Sequence, residues 1–261
     1  MISRWRKIFL HEQYKADMSP PYKILVVVPA HNEEETIYEV VSRALNYADV
    51  SVTDDGSRDR TPHILDGILE EVKKGNFRHN LHIITHPTAT HIPKGIQDGI
   101  TYGVERDYDY IVTMDAGLSH DPDALPEFIA YDPSVDVVIG SRINPENVPR
   151  YRMLISYLAA RVVNYSLTDS YITNYHPIIR DCTSGYRRYS RKAAEALSGA
   201  RLRSKAFDFH MEALAICVRS GMKAAEIPIR YVFSNSSFNV KVLKYGIMFG
   251  MRLLATKKNG I

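Results

Sequence analysis

Cysteine and tryptophan are nearly missing: 261 residues contain two cysteines, Cys182 and Cys217, and one tryptophan, Trp5. Two thiols so placed make neither a disulfide framework nor a zinc-ligand pattern, and are expected to be reduced and packed. No apolar run approaches the roughly 20 residues that cross a bilayer, and the N-terminus lacks the apolar core and cleavage site of a signal peptide. The expectation is therefore a cytoplasmic chain, at most peripheral on the cytosolic face of a membrane. No Gly-x-Gly-x-x-Gly or Walker-type loop follows the first strand-like run, which argues against dehydrogenase and kinase readings. Nor is there a large excess of one charge: the formal net charge of +3 speaks against nucleic acid as a partner.

The basic excess sits at the ends. From Ser236 onward the sequence carries Lys241, Lys244, Arg252, Lys257 and Lys258 and no acidic side chain, and Arg4, Arg6, Lys7 and Lys15 lie near the start. Plotted as a helix, Val240, Leu243, Ile247, Met251 and Leu254 form an apolar stripe beside Lys241, Lys244 and Arg252, a pattern suited to a lipid interface or to a partner surface. The expected organisation is a basic extension over 1–22, one α/β domain over 23–235 and a basic amphipathic helix over 236–261.

Lys23 to Pro29, KILVVVP, is the kind of short apolar run that forms a parallel strand buried on both faces. After it, Asn32 is expected to cap a helix with Glu35 at its third position, and Ile37, Val40, Val41, Ala44 and Leu45 recur at helical spacing. Asp49–Thr53, Leu81–Ile84, Tyr110–Met114, Val135–Ile139 and Ala224–Ile229 read as further strands. Helices are expected near Thr61 with Pro62 at its first position, over Gly95–Arg106, over Tyr151–Leu167 and over Phe209–Arg219. Strands alternating with helices imply a mostly parallel sheet covered on both faces, with ligands beyond the carboxyl ends of the strands.

The polar clusters fall at that edge. Asp54 and Asp55 follow a buried strand and could accept hydrogen bonds from a nucleobase and a ribose, although Asp-Asp-Gly-Ser is also good turn chemistry. Asp115 ends another strand, where a carboxylate can meet a nucleotide sugar directly or through a hard divalent cation. Such clusters on successive strands are more telling than any one alone.

Taken in order, Pro29-Ala30-His31-Asn32-Glu33-Glu34, Asp54-Asp55-Gly56-Ser57 and Met114-Asp115-Ala116 resemble the nucleotide-binding signatures of family 2 glycosyltransferases. Gly140-Ser141-Arg142, Asp181-Cys182-Thr183-Ser184-Gly185-Tyr186-Arg187 and Phe209–Glu212 resemble the dolichyl-phosphate mannose synthase branch. The resemblance runs from about Lys23 to about Phe233. It implies a GT-A fold, a Rossmann-like α/β architecture, and an inverting transfer of a hexose, mannose first, from GDP-mannose or a UDP-hexose to a polyprenyl or dolichyl phosphate. By the same resemblance Pro29, Asn32, Glu33, Asp54 and Asp55 hold the nucleoside, and Asp115 lies by the ribose and diphosphate. Arg142, Ser184 and Arg187 lie near the phosphates or the acceptor, and Lys241 is a candidate for the lipid phosphate. The basic C-terminal helix would meet a membrane or a membrane-anchored partner subunit.

Two positions depart from the family pattern. Gly117 stands where a second acidic residue normally ligates Mg²⁺ or Mn²⁺, leaving Asp115 as the one carboxylate for a metal. Ser234–Asn239 lacks the expected basic cluster. Two alternatives therefore stand beside the leading expectation. One is transfer to a hydroxyl acceptor, which needs a carboxylate base such as Glu212 or Asp181. The other is a non-catalytic nucleotide-sugar-binding subunit.

Overall fold

The computed structural model describes residues 22–142, 150–167, 179–231, and 248, 250 and 251. Its centre is a seven-stranded sheet in the order β3-β2-β1-β4-β6-β5-β7, with β1 Ile24–Ala30, β2 Asp49–Asp55, β3 Leu81–His86, β4 Tyr110–Thr113, β5 Val137–Ser141, β6 Arg187–Ser190 and β7 Ala224–Pro228. Every pairing is parallel except those of β6, which runs antiparallel to both β4 and β5. The helices are α1 Ile37–Ala44, α2 Thr61–Lys73, α3 Ile92–Glu105, α4 Leu125–Ile129, α5 Arg150–Leu167, α6 Arg191–Ser198 and α7 Asp208–Arg219.

The continuous apolar run of β1 serves two cores at once. Ile24, Val26 and Val28 join α1 and α2 residues such as Ile37, Val41, Leu65 and Ile68 on one face. Leu25 and Val27 join Ile96 and Ile100 of α3, with residues of α5, α6 and α7, on the other. The alternation follows from the two-residue period of a strand. Helix α3 packs closely because its glycines recur every fourth residue: a Cβ on Gly99 would stand 2.4 Å from Val27 Cγ1, and one on Gly103 would stand 2.6 Å from Ile111 Cδ1.

The strand and helix expectations hold in order, with three corrections. The first helix begins at Ile37, with Thr36 as its N-cap residue. Asn32 does not cap it, because its backbone is left-handed, φ 56°, and its side chain accepts from the Arg58 N–H at 2.8 Å. The sequence pattern marks neither the short strand β6 nor helices α4 and α6. Asp54 and Asp55 are the last two residues of β2 rather than the loop beyond it.

The adjacent arginines of β6 explain why that strand was hidden. Arg187 and Arg188 are both almost fully buried, and strand alternation sends them to opposite faces. Arg188 donates to the carbonyls of Phe128, Tyr131, Asp132 and Val135, tying down the α4–β5 connection. Charged residues inside a sheet are tolerated here because backbone carbonyls replace water around each guanidinium.

The expected 1–22 extension and 236–261 helix lie largely outside the described residues, as does Lys241. Met248, Gly250 and Met251 are helical, and a Cβ on Gly250 would stand 3.2 Å from Val162 Cγ1, so this segment packs on α5. Among the described residues no helix is long and apolar enough to cross a membrane. Both cysteines are buried free thiols, pushed up to about 12 by burial.

Candidate active site

Because β1, β2, β4, β5 and β7 are parallel, their carboxyl ends share one rim, and the sheet order turns between β1 and β4 at the crevice where open α/β sheets bind ligands. The loop Asp181–Tyr186 reaches the same rim, since it leads into the antiparallel β6.

On the β1 side, the turn His31–Thr36 is locked to the segment after β2. The Asn32 N–H donates to Ser57 Oγ at 2.9 Å, the Glu33 N–H to Thr61 Oγ1 at 2.8 Å and the Glu34 N–H to Asp59 Oδ2 at 3.1 Å. The Glu33 carboxyl is raised by burial and by the negative charges of Asp115 and Asp59. Glu33 follows β1 and Asp115 follows β4, its neighbour in the sheet, so both stand on one rim.

Asp54 and Asp55 differ sharply in what they can offer a ligand. Asp54 is buried, with Oδ1 accepting from the Ser57 N–H. Asp55 accepts from the Thr90 N–H, Thr90 Oγ1, the His91 N–H and His86, so both its oxygens clamp the loop after β3. Burial pushes the Asp55 carboxyl up, but the His86 and Thr90 hydrogen bonds outweigh it and hold it at about 2. In this arrangement both Asp55 oxygens shape the loop wall.

Asp115 is the open carboxylate. Its side chain is 40 % exposed, at the end of β4, and its backbone N–H donates to His120 Nδ1 at 3.1 Å. That bond requires a bare Nδ1 and puts the His120 proton on Nε2. Burial lowers the His120 pKa, in keeping with a neutral ring. His120 stacks on Tyr186 and bridges to Tyr231, fixing the segment after Asp115.

Arg142 stands at the end of β5, doubly bonded to Asp181 through Nε at 2.6 Å and Nη2 at 2.7 Å, with Nη2 also donating to Thr183 Oγ1. Its guanidinium lies over the Tyr231 ring at 5.1 Å. Burial pushes the Asp181 carboxyl up, but the Arg142 charge and hydrogen bonds overcome it and drive it far below the usual carboxylate range. Asp181 is thus a fixed anion that orients Arg142, which corrects its candidacy as a base.

Three further expectations change with burial. Arg187 is completely buried and donates to the carbonyls of Ser184 at 2.8 Å, His210 at 2.6 Å and Cys182 at 2.7 Å, so it holds the rim loop together and does not face a phosphate. Ser184 is also fully buried. Glu212 accepts from the Arg203 and Ser204 N–H groups, which commits it to a loop rather than to proton abstraction. The sequence does not single out His210, since a lone histidine gives no spacing signal.

The fit of a divalent cation turns on Asp115. A Cβ on Gly117 would meet nothing within 4 Å, and among the described residues no group of three His, Cys, Asp or Glu could hold a metal. One exposed carboxylate beside open space fits a hard cation shared with a ligand's phosphate oxygens, as Mg²⁺ is commonly held. It does not fit a cation caged by protein alone.

The family model for glycosyl transferase family 2 matches residues 25–197. The chain belongs to that family. It is 29 % identical over 217 residues to an undecaprenyl-phosphate mannosyltransferase of Micrococcus luteus, covering 80 % of this chain and 84 % of that one. It is 30 % identical over 228 residues to a UDP-N-acetylglucosamine–dolichyl-phosphate N-acetylglucosaminyltransferase of Methanococcus voltae, covering 82 % and 87 %. Among solved structures, a mannosyltransferase of Pyrobaculum calidifontis in complex with GDP-Man and Mn²⁺ superposes with a TM-score of 0.55 at 16 % identity, covering 98 % of this chain and 82 % of that one. The architecture is the GT-A fold, and the chain is a glycosyltransferase.

Proposed function

We propose that this glycosyltransferase moves a hexose, mannose first, from a nucleotide sugar to a polyprenyl phosphate, with inversion, on the cytosolic face of a membrane. The observation that carries the reading is the exposed carboxylate of Asp115 at the β1–β4 crevice of a family 2 chain whose relatives bear polyprenyl-phosphate names.

In this reading Pro29, Asn32, Glu33 and Asp54 line the nucleoside side, and Asp115 meets the ribose and diphosphate. Mg²⁺ or Mn²⁺, when bound, neutralises charge on the departing diphosphate, with Asp115 as its protein ligand. Arg142, aligned by Asp181, contributes positive charge at the acceptor side. A phosphate monoester has a second pKa near ~6 and is already largely anionic at neutral pH, so no general base is needed. Both candidate bases, Glu212 and Asp181, are committed elsewhere, which favours this acceptor over a hydroxyl.

An approach to lipid is supported by α5, whose Leu154, Tyr157 and Leu158 are all more than half exposed, and by the exposed Met251 of the segment packed against it. Incubating the protein with Mn²⁺, undecaprenyl phosphate and GDP-mannose, UDP-glucose or UDP-N-acetylglucosamine tests the proposal by mass spectrometry of the lipid fraction. An α-linked donor giving a β-linked lipid product is expected; no glycolipid from any donor would overturn it.

A further inference from the structure

The last residues of β2 and β3, Asp55 and His86, are partners in the parallel register, and their side chains meet at the rim. His86 Nδ1 lies 2.7 Å from Asp55 Oδ1, and its Nε2 lies 3.0 Å from Asp98 Oδ2 on α3. Thr90 Oγ1, 3.2 Å from Nδ1, gives its one proton to Asp55 Oδ1 at 2.7 Å. An ionised carboxylate only accepts hydrogen bonds, so both ring nitrogens carry a proton and the ring is an imidazolium. The other oxygen of Asp98 accepts from Lys94 Nζ. Among the described residues the charged groups around the ring are therefore Asp55 of β2 and Asp98 and Lys94 of α3. Two anions and two cations balance in a cluster where the His86 side chain is 12 % exposed and that of Asp55 11 %. Without the His86 proton, one carboxylate faces a lone pair and the cluster keeps an uncompensated negative charge.

The loop that follows β3 hangs on this cluster. Asp55 accepts from the Thr90 N–H at 2.8 Å and from the His91 N–H at 3.1 Å. His91 has φ 128° and ψ 149°, a backbone region essentially reserved to glycine, so it stays there only while its surroundings hold it. The loop also rests directly on the turn after β2, since a Cβ on Gly56 would stand 2.8 Å from the Ala89 nitrogen. From the other side, His31 in the turn after β1 reaches the Asp55 carbonyl at 2.7 Å. Strained backbone, close packing at the rim and a clasp that depends on one proton thus coincide in residues 86–91.

We propose that His86, clasped as an imidazolium by Asp55 and Asp98, latches residues 87–91 against the nucleoside side of the crevice, and that loss of its proton loosens the loop and weakens donor binding. His86 acts through the loop, as a positioning residue. The proposal rests on the nucleotide-sugar reading given above and adds a pH control to it. Because the latched loop holds a proton that the loosened loop releases, the effect is present at low pH. It is lost as the pH rises through the range in which histidine changes charge.

Calorimetric titration with GDP-mannose and UDP-glucose, with Mg²⁺ present and between about pH 6 and 8.5, measures the donor side. Amide hydrogen exchange of Thr90 and His91 in the donor-free protein, expressed as protection relative to the unfolded chain, measures the latch. The wild type is expected to lose about tenfold in both across this range. His86→Arg keeps donors toward both carboxylates and does not lose its charge, so it should bind donor and protect the loop equally at both ends of the range. His86→Leu, which has no donor, should show the weakened values already at the low end. Should His86→Leu not fold, the contrast between wild type and His86→Arg decides. Protection in the wild type that does not change with pH overturns the latch, and so does a pH slope that persists in His86→Arg and therefore belongs to another group. Changing protection with constant donor affinity overturns the coupling to the donor. Binding of neither donor at any pH removes the nucleotide-sugar reading instead, and hydrogen exchange still decides the latch.

Discussion

Replacing Arg187 by methionine separates a structural arginine from a substrate-binding one. The guanidinium makes three hydrogen bonds of 2.6–2.8 Å to backbone carbonyls in a fully buried place. Hydrogen bonds to a charged group contribute roughly 1.5–3 kcal/mol each, but the desolvation of the guanidinium offsets part of that. Methionine fills much of the volume and leaves three carbonyls without donors, so the expected net loss is about 4 kcal/mol. Against a typical total of about 5–15 kcal/mol this is severe. For a chain of this size it corresponds to a fall in Tm of roughly 10 °C. Urea denaturation at 15 °C and differential scanning calorimetry read the loss directly. Donor affinity of the folded fraction should change far less, because no arm of the guanidinium reaches the open rim. A variant with the wild-type midpoint and donor affinity reduced tens of times would refute the reasoning and return Arg187 to the phosphates.

Two further predictions concern carboxylates. The Asp55 carboxyl, nearly buried, is held at about 2 against an ordinary 3.8. Its folded-state pKa is depressed, so its contribution of about 2 kcal/mol is fully present above pH 4 and is lost as the pH falls toward 2. Asp55→Asn should flatten the decline in urea midpoint between pH 4.5 and 2.5 relative to wild type; an unchanged slope would assign the decline to other groups. Gly117→Asp places a second carboxylate in open space beside Asp115 and should tighten Mn²⁺ in the presence of GDP by about tenfold, read by electron paramagnetic resonance, with Tm nearly unchanged. Equal Mn²⁺ affinity would show that position 117 does not face the cation.

The sequence carried most of the scaffold because its signals were local. KILVVVP had to be a two-faced strand, and Pro62 together with the recurrent Ile and Val positions marked the helices. The rim could also be located, since Glu33, Asp54, Asp115 and Arg142 each end or follow a buried strand. What burial does to a charge could not be read that way. Arg187 sits within a stretch that resembles a phosphate-binding motif, yet carbonyls contributed from residues 182, 184 and 210 surround it. Asp55 looks equivalent to Asp54 until Thr90 and His91, 35 positions on, close over it. Arg187-Arg188 also concealed β6, because neither apolar alternation nor β-propensity marks a strand whose side chains are solvated by distant backbone. Asn32 failed as a cap for a simpler reason: its left-handed backbone turns the chain four residues before Thr36, where the helix is capped.

The position of β6 also dictates when the sheet can close. Among the described residues strand β5 bonds only to β6 and β7, and β6 connects it to β4. Some 45 residues leave the ribosome between the end of β5 and the start of β6, so β5 is made long before it has a neighbour. The unit β3-β2-β1-β4, by contrast, is complete once Thr113 has emerged. Folding should accordingly proceed from the β3-β2-β1-β4 half, which gathers early, to the β6-β5-β7 half, which waits for the long connection that includes α5 to close, the slower kind of step. Pulse-labelled hydrogen exchange would show β1 and β2 amides protected before those of β5. The last strand to emerge is β7, which adds to β5, so the sheet around Arg187 and the rim loop acquires its final shape only when synthesis of the domain is nearly finished.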